Sequence, residues 1–265
     1  FTVGTDGDFN TNTNSYVAWN WKAGGTAASI AAGSIDGTNP TIASSVSANT
    51  TAGFSVVTYT GNATSGASVG HGLGVTPSII IIKNRDSAVN WAVIPGNSTL
   101  FGGSFYLILN SSSAKVANSN MYSSYSNSSL FYLSTNSSAN GNTNSHVAYC
   151  FADVEGYSKI GSYTGNGSAN GPFIYTGFRP AFILIKRTNS TGSWYMWDTA
   201  RGTYNVIGPV VYSNLSNAEG TSTYSDILSN GFKLRVAADT NINASGSTHI
   251  YMAFASNPFK NSLAR

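Results

Sequence analysis

A block of about 103 residues occurs twice in this chain, and no other feature of the sequence narrows its fold as much. Val57-Thr58-Tyr59-Thr60-Gly61-Asn62 returns as Gly161-Ser162-Tyr163-Thr164-Gly165-Asn166. Pro77-Ser78-Ile79-Ile80-Ile81-Ile82-Lys83-Asn84 returns as Pro180-Ala181-Phe182-Ile183-Leu184-Ile185-Lys186-Arg187, and Trp91 returns as Trp194. Phe131-Tyr132-Leu133 matches Phe232-Lys233-Leu234, and His146-Val147-Ala148-Tyr149-Cys150-Phe151-Ala152 matches His249-Ile250-Tyr251-Met252-Ala253-Phe254-Ala255. Two copies of one module are therefore expected, over 54–157 and 158–265.

The first residues fit the same scheme. Phe1-Thr2-Val3, an Asn-rich turn and Tyr16-Val17-Ala18-Trp19-Asn20-Trp21 repeat the last two strands of each copy. Residues 1–22 read as the closing hairpin of a preceding, incomplete repeat, belonging to a longer polypeptide or completing a neighbour's sheet. Residues 23–53, mostly Ala, Gly, Ser, Thr and Asn, read as an extended linker.

Within each copy, short runs of Val, Ile, Tyr, Phe and Thr alternate with Gly, Asn and Ser clusters, the pattern of strands and turns. Strands are expected near 54–60, 78–84, 91–94, 105–109, 130–134 and 145–152. Composition agrees: the chain has no Gln, its only Glu residues are Glu155 and Glu219, and charged residues make 9%. Such a chain lacks the residues that build solvent-facing helices. At 41% hydrophobic it can nevertheless fill a core. Ile79 to Ile82 is apolar without alternation, as in a strand covered on both faces, with Lys83 and Lys186 expected where those strands meet water. In the terminal strand, bulky Val147, Tyr149 and Phe151 share one face and small Ala148, Cys150 and Ala152 the other. The expected fold is all-β: tandem antiparallel, jelly-roll-like β-sandwiches.

Partners are narrowed by charge and by apolar run length. The net charge is +3 and the basic residues are scattered, so no nucleic-acid footprint is visible. No apolar run approaches the ~20 residues that span a bilayer, so membrane insertion is not expected. One cysteine, Cys150, excludes an intrachain disulfide framework and a cysteine zinc site.

Catalytic patterns are sparse. Sugar hydrolysis needs two carboxylates about 5 to 9.5 Å apart. Only Asp6 with Asp8 and Asp153 with Glu155 are close in sequence, and neither pair recurs in both copies. His146 and His249 are repeat equivalents, with Tyr16 in the same place of the partial copy, which suits a strand edge better than a metal site. His71, in Gly70-His71-Gly72-Leu73-Gly74, precedes a strand rather than a helix and reads as a tight turn. No G-x-S-x-G elbow occurs. Asp6-Gly7-Asp8-Phe9-Asn10-Thr11-Asn12 begins like a calcium loop but has Thr11 where Gly is needed and Val17 where Glu is needed. The expectation is a protein with no catalytic residues, no cofactor and no metal.

Recognition patterns are richer. Tyr122 and Tyr125 lie in a Ser/Asn-rich stretch, with Tyr224 as the counterpart in the second copy. Tyr, Ser and Asn together are the composition of adaptable binding loops. Trp91 and Trp194, being equivalents on strands, are expected in the core. Trp19, Trp21 and Trp197 lack Trp counterparts and are candidates for exposed stacking surfaces. The candidate contacts for a receptor or glycan are Tyr122, Tyr125, Tyr224 and Trp197.

Several motifs, in order along nearly the whole chain, carry a family resemblance. They are Ser15-Tyr16-Val17-Ala18-Trp19-Asn20-Trp21-Lys22-Ala23-Gly24-Gly25, Val69-Gly70-His71-Gly72-Leu73-Gly74, Val154-Glu155-Gly156-Tyr157-Ser158-Lys159, Tyr175-Thr176-Gly177-Phe178-Arg179-Pro180 and Ala255-Ser256-Asn257-Pro258-Phe259-Lys260. The chain resembles a β-repeat family found in large virion proteins of aquatic bacteriophages, described as tail-fibre-like or structural. That resemblance implies a non-enzymatic protein at the virion surface, outside the cell, contributing to host attachment. The implied partners are further copies of itself, most simply as a trimer, other virion proteins and a host-surface glycan. Two alternatives remain open: a carbohydrate-binding module for host polysaccharide, and a capsid decoration protein or secreted filament subunit.

Overall fold

The computed structural model describes residues 2–34, 39–237, 239 and 241–256, so Phe1, Phe259 and Lys260 lie outside the described residues. Apart from two helical turns, α1 (Gly7–Asn10) and α2 (Ser137–Asn140), its regular structure is strand. Ahead of the first copy come β1 (Ala28–Ile30) and β2 (Ser44–Asn49). The first copy holds β3 (Phe54–Thr60), β4 (Ala67–Gly70), β5 (Ile79–Asn84), β6 (Ala92–Pro95), β7 (Phe105–Ile108), β8 (Val116–Ala117), β9 (Leu130–Leu133) and β10 (Ser145–Phe151). The second holds β11 (Ser158–Thr164), β12 (Phe173–Tyr175), β13 (Phe182–Arg187), β14 (Trp194–Asp198), β15 (Ile207–Tyr212), β16 (Gly220–Leu228), β17 (Gly231–Leu234) and β18 (Thr248–Phe254).

The copies share one strand order. Sheet 1 runs β1-β2-β3-β10-β5-β6-β7-β8 with a separate β4-β9 ribbon, and sheet 2 runs β11-β18-β13-β14-β15-β16-β17-β12. Omitting β1 and β2, each strand of the first copy has its equivalent in the second. The main difference lies in β16. It is nine residues long and carries sheet 2 round into its β17-β12 layer, whereas its equivalent β8 has two residues and the β4-β9 ribbon stands apart.

Each main sheet is covered on both faces, as the sequence pattern requires. In the first copy Ile80, Ile82, Ala148, Cys150 and Ala152 face the β4-β9 ribbon with Val69, Phe131 and Leu133. The second copy repeats this core with Ile183, Ile185, Tyr251 and Ala253 against Ile174, Phe232 and Leu234. A third core lies between the two sheets: Phe54, Ile79, Val93, Leu107 and Phe151 pack on Ile160, Phe182, Leu184, Trp194 and Phe254. Equivalent residues Phe151 and Phe254 meet there at 5.7 Å between ring centres. Each fully buried side chain of this kind contributes about 1.5–3 kcal/mol. The result is four layers, ribbon, sheet, sheet and ribbon. Polar contacts fasten the middle, with Trp194 Nε1 donating to the Ile108 carbonyl at 2.9 Å and the Lys115 amide to the Thr188 carbonyl at 2.8 Å.

Several expectations need correction. The 23–53 stretch is not a free linker: β2 pairs along β3, Ile42 bridges to Val69 of β4, and Ile42 and Val46 are buried in the first core. Small residues allow this, because they let the chain pass close over the side of the sandwich. The described part of 1–22 forms no β-hairpin; it holds α1 and irregular chain. Its tryptophans are docked rather than exposed. Trp21 meets Phe151, Phe182 and Phe254 edge-on at 5.3–6.0 Å, and Trp19 Nε1 donates to Asp198 at 3.0 Å. His146 and His249 are buried, not at an exposed edge, each stacked under a tyrosine. Lys186 does not mark a water boundary; it is fully buried, with Nζ donating to the Arg187 carbonyl at 2.8 Å.

Candidate functional site

The recognition residues read from the sequence are mostly inside. Tyr122 is buried in the first core beside Met121, its hydroxyl donating to the Phe105 carbonyl at 3.1 Å. Asn118 turns the chain inward there, its Oδ1 accepting the Met121 amide at 2.9 Å. The Ser/Asn-rich stretch is therefore a wall of the sandwich, standing where β16 stands in the second copy. Tyr125 is half-buried against Tyr122, with ring centres 5.7 Å apart. Trp197 is fully buried and stacks on Tyr224, itself buried, at 6.1 Å. Three of the four are core residues, and they lie in two different cores. The misreading came from composition: Ser and Asn suggest a solvated loop, but Asn side chains can replace backbone partners inside an irregular wall.

Among the described residues, the titratable groups lie in separate ion pairs and hydrogen bonds. Asp153 pairs with Lys159 at 2.7 Å and accepts the Ile160 amide at 3.0 Å. Asp198 accepts from Arg201 Nε at 2.7 Å, while Arg201 also meets Glu219. Burial opposes charge on Asp198, but hydrogen bonds from the Arg201 backbone and side chain, its charge and Trp19 outweigh burial and hold the carboxyl below its ordinary value. Burial pushes His71 and His249 down to about 4 and the Cys150 thiol up to about 12. A neutral His71 suits its setting, with Nε2 3.1 Å from the Asn127 carbonyl and Nδ1 accepting the Leu73 amide at 3.3 Å. Among the described residues, no cluster of His, Cys, Asp and Glu could hold a metal ion.

One exposed face has the form of a binding platform. On β12 the order is exposed, buried, exposed: Phe173 is 45% and Tyr175 64% accessible, and Ile174 between them fills the core. Phe173 pairs with Lys233 and Lys233 with Asp226, so the three form one outward row across β12, β17 and β16. Tyr175 begins the next row, opposite Gly231. A side chain at Gly231 would lie 2.2 Å from the Ile174 carbonyl oxygen and 3.0 Å from the Phe173 ring, so that glycine lets β12 approach closely and leaves room for the ring to lie across the sheet. Lys233 Nζ donates to the Gly171 carbonyl at 2.9 Å, and Arg235 pairs with Asp226 at 3.2 Å. Two aromatic faces about 7 Å apart, rimmed by a cation and an ion pair, can stack on the apolar faces of sugar rings and hydrogen-bond their hydroxyls.

A signal for this face was present in the repeat. By pairing register, Phe173 and Tyr175 stand where the first copy has Ser68 and Gly70. Large aromatics replacing small residues at strand positions mark a change of surroundings.

The chain belongs to the family described as Domain of unknown function (DUF7483), which matches residues 1–258. No curated protein and no solved structure matches the chain. Among the described residues, no helix is long and apolar enough to cross a membrane.

Proposed function

We propose that this member of the DUF7483 family is a non-enzymatic structural protein of a phage-type particle, a tail-fibre or appendage segment at the virion surface that contributes to host attachment. The observation that carries this reading is the tandem build. Two copies of one β-module are fused through a continuous aromatic core, which makes a stiff unit. Asp153, Asp198 and Glu219 are held in ion pairs and His71 is hydrogen-bonded to the backbone, while His249 and Cys150 are buried in the sandwich. The motif resemblance in the sequence supplies the particle. Its partners are further copies of the chain as a trimer, other virion proteins and a host glycan.

A second reading, a carbohydrate-binding module, is favoured by the Phe173–Tyr175 platform. The two are separated by a glycan array on the intact chain, alongside antibody labelling of phage particles. Labelled particles with no glycan signal support the structural role alone. A glycan signal lost in the double variant Phe173→Ser, Tyr175→Ser supports the second reading, and neither signal removes both. A mass near 27.7 kDa at micromolar concentration would count against self-association of this segment.

A further inference from the structure

The turn that precedes the last strand of each module occurs three times in this chain, and in two of them the structure shows what it holds. In the first copy the Asn136 side chain caps α2, Asn140 Nδ2 donates to the Ser134 carbonyl at 2.7 Å and Thr143 has φ 60°. The second copy places Asn243 Nδ2 on the Val236 carbonyl at 2.7 Å, with Gly246 at φ 70°. Near the chain's start Asp6 caps α1, Asn10 Nδ2 donates to the Gly4 carbonyl at 2.6 Å and Thr13 has φ 71°. The three turns are the same device.

Both complete copies use it to seat one strand. Tyr59 donates its hydroxyl to the Ala139 carbonyl at 2.6 Å and stacks on His146 at 5.1 Å, and the Asn62 amide donates to Asn140 Oδ1 at 2.8 Å. Tyr163 does the same to Ile242 at 2.7 Å and His249 at 4.8 Å, with the Asn166 amide on Asn243 Oδ1 at 3.0 Å. The seated sequence is Tyr-Thr-Gly-Asn each time. Its glycine is required, because a side chain at Gly61 would lie 2.3 Å from the Gly141 carbonyl oxygen and one at Gly165 2.4 Å from that of Ala244.

The N-terminal turn has the seat without the strand. Phe9 stands where Ala139 and Ile242 are fully buried, yet it is 65% accessible; Tyr16 stands where the two histidines are fully buried, yet it is 49% accessible. Val3 and Val17 are exposed beside them. We propose that residues 3–17 are the docking surface for a Tyr-Thr-Gly-Asn strand of a further copy of this module, covering Phe9, Tyr16 and Val17. The tyrosine hydroxyl donates to the Phe9 carbonyl, its ring lies on Tyr16, and the amide after glycine donates to Asn10 Oδ1. This strand differs from the chain's own two, whose tyrosines are already committed.

The test fuses a second copy of residues 39–130, which includes the segment that closes the first sandwich, ahead of Phe1, and this restores the 80-residue separation between Tyr59 and Ala139 in the first copy. In hydrogen exchange on the full fusion, amides of residues 9–17 should slow by ~100-fold or more relative to the unfused chain. Tyr59→Ala in the added copy only, or Asn10→Ala, should abolish most of that gain. Unchanged exchange at 9–17, or an added copy that stays unfolded, overturns the proposal. So does concentration-dependent protection of 9–17 in the unfused chain, which would make a second molecule the occupant. A further check uses the unfused chain: Phe9→Ser with Val17→Ser should leave its melting midpoint within about 1 °C, as expected of exposed side chains. A drop of several degrees would show that they already pack on this molecule.

Discussion

The two module copies share a strand order and part company along one side. In the first, the chain ahead of β3 closes the sandwich: residues 39–42 run along β4, with the Thr41 and Ile42 amides on the Ser68 carbonyl, and β2 then pairs along β3. Ile30 lies over Gly70, where any side chain would come within 2.9 Å of it. In the second copy, among the described residues, no named strand pairs with the outer edge of β11 or of β12. There Gly70 is replaced by Tyr175, and the Ile160 amide, equivalent to that of Val56 facing β2, is capped by Asp153. One scaffold thus tolerates two endings. A strand edge can be covered by the protein's own chain, or blunted by a carboxylate and flanked by a displayed aromatic surface. The copy left open is the one that offers a platform.

This contrast can be broken by substitution. Ile42→Ala should destabilise the protein by about 2–4 kcal/mol in denaturant unfolding, because it empties a site that closes the first core. A loss under about 1 kcal/mol would mean that the 39–49 segment merely rests on the sandwich.

Acid should act on the first copy more than the second. His71 and His146 belong to the first copy, whereas His249 belongs to the second, where Thr176 replaces His71. Burial lowers the proton affinity of all three, to about 4 for His71 and His249. For His71 and His249, between about pH 6.5 and 4 the unfolded chain binds more protons than the folded one, so stability falls as pH falls, by about 1.4 kcal/mol per pH unit for each; His146 acts in the same direction. His71→Thr should flatten the pH dependence of the melting midpoint over that window. An unchanged slope would show that His71 is protonated in the fold.

A smaller effect is expected from Asp153→Ala. The cost should be about 1 kcal/mol, since the Ile160 amide loses its acceptor at a partly exposed edge. The sharper readout is association: light scattering should rise with protein concentration as β11 becomes available for pairing. No change in scattering would mean that the edge is protected by something other than this carboxylate.

Smallest in stability are Phe173→Ser and Tyr175→Ser, each within about 0.5 kcal/mol of the parent. A cost as large as that of Ile42→Ala would place these rings in a core and erase the difference between the copies.

The all-β architecture, the repeat and the double-faced strands β5 and β10 were legible in the sequence. Period-two alternation and apolar runs report how many faces of a strand are covered, whatever covers them. The alternation of Ala148 and Cys150 with Tyr149 and Phe151 separated the face that meets the β4-β9 ribbon from the face that meets the other sheet. What covers each face was decided by tertiary structure. The cover on Phe151 proved to be Trp21 and Phe254, from distant parts of the chain. The fates of Tyr122 and Trp197 followed from the same cause, because a tyrosine in a polar stretch has the same local sequence whether that stretch faces water or bends inward over a core. Closure of the first copy by residues 39–49, with no counterpart among the described residues of the second, was equally beyond local pattern: pairing along an edge depends on which segment reaches it, a property of chain path rather than of residue type.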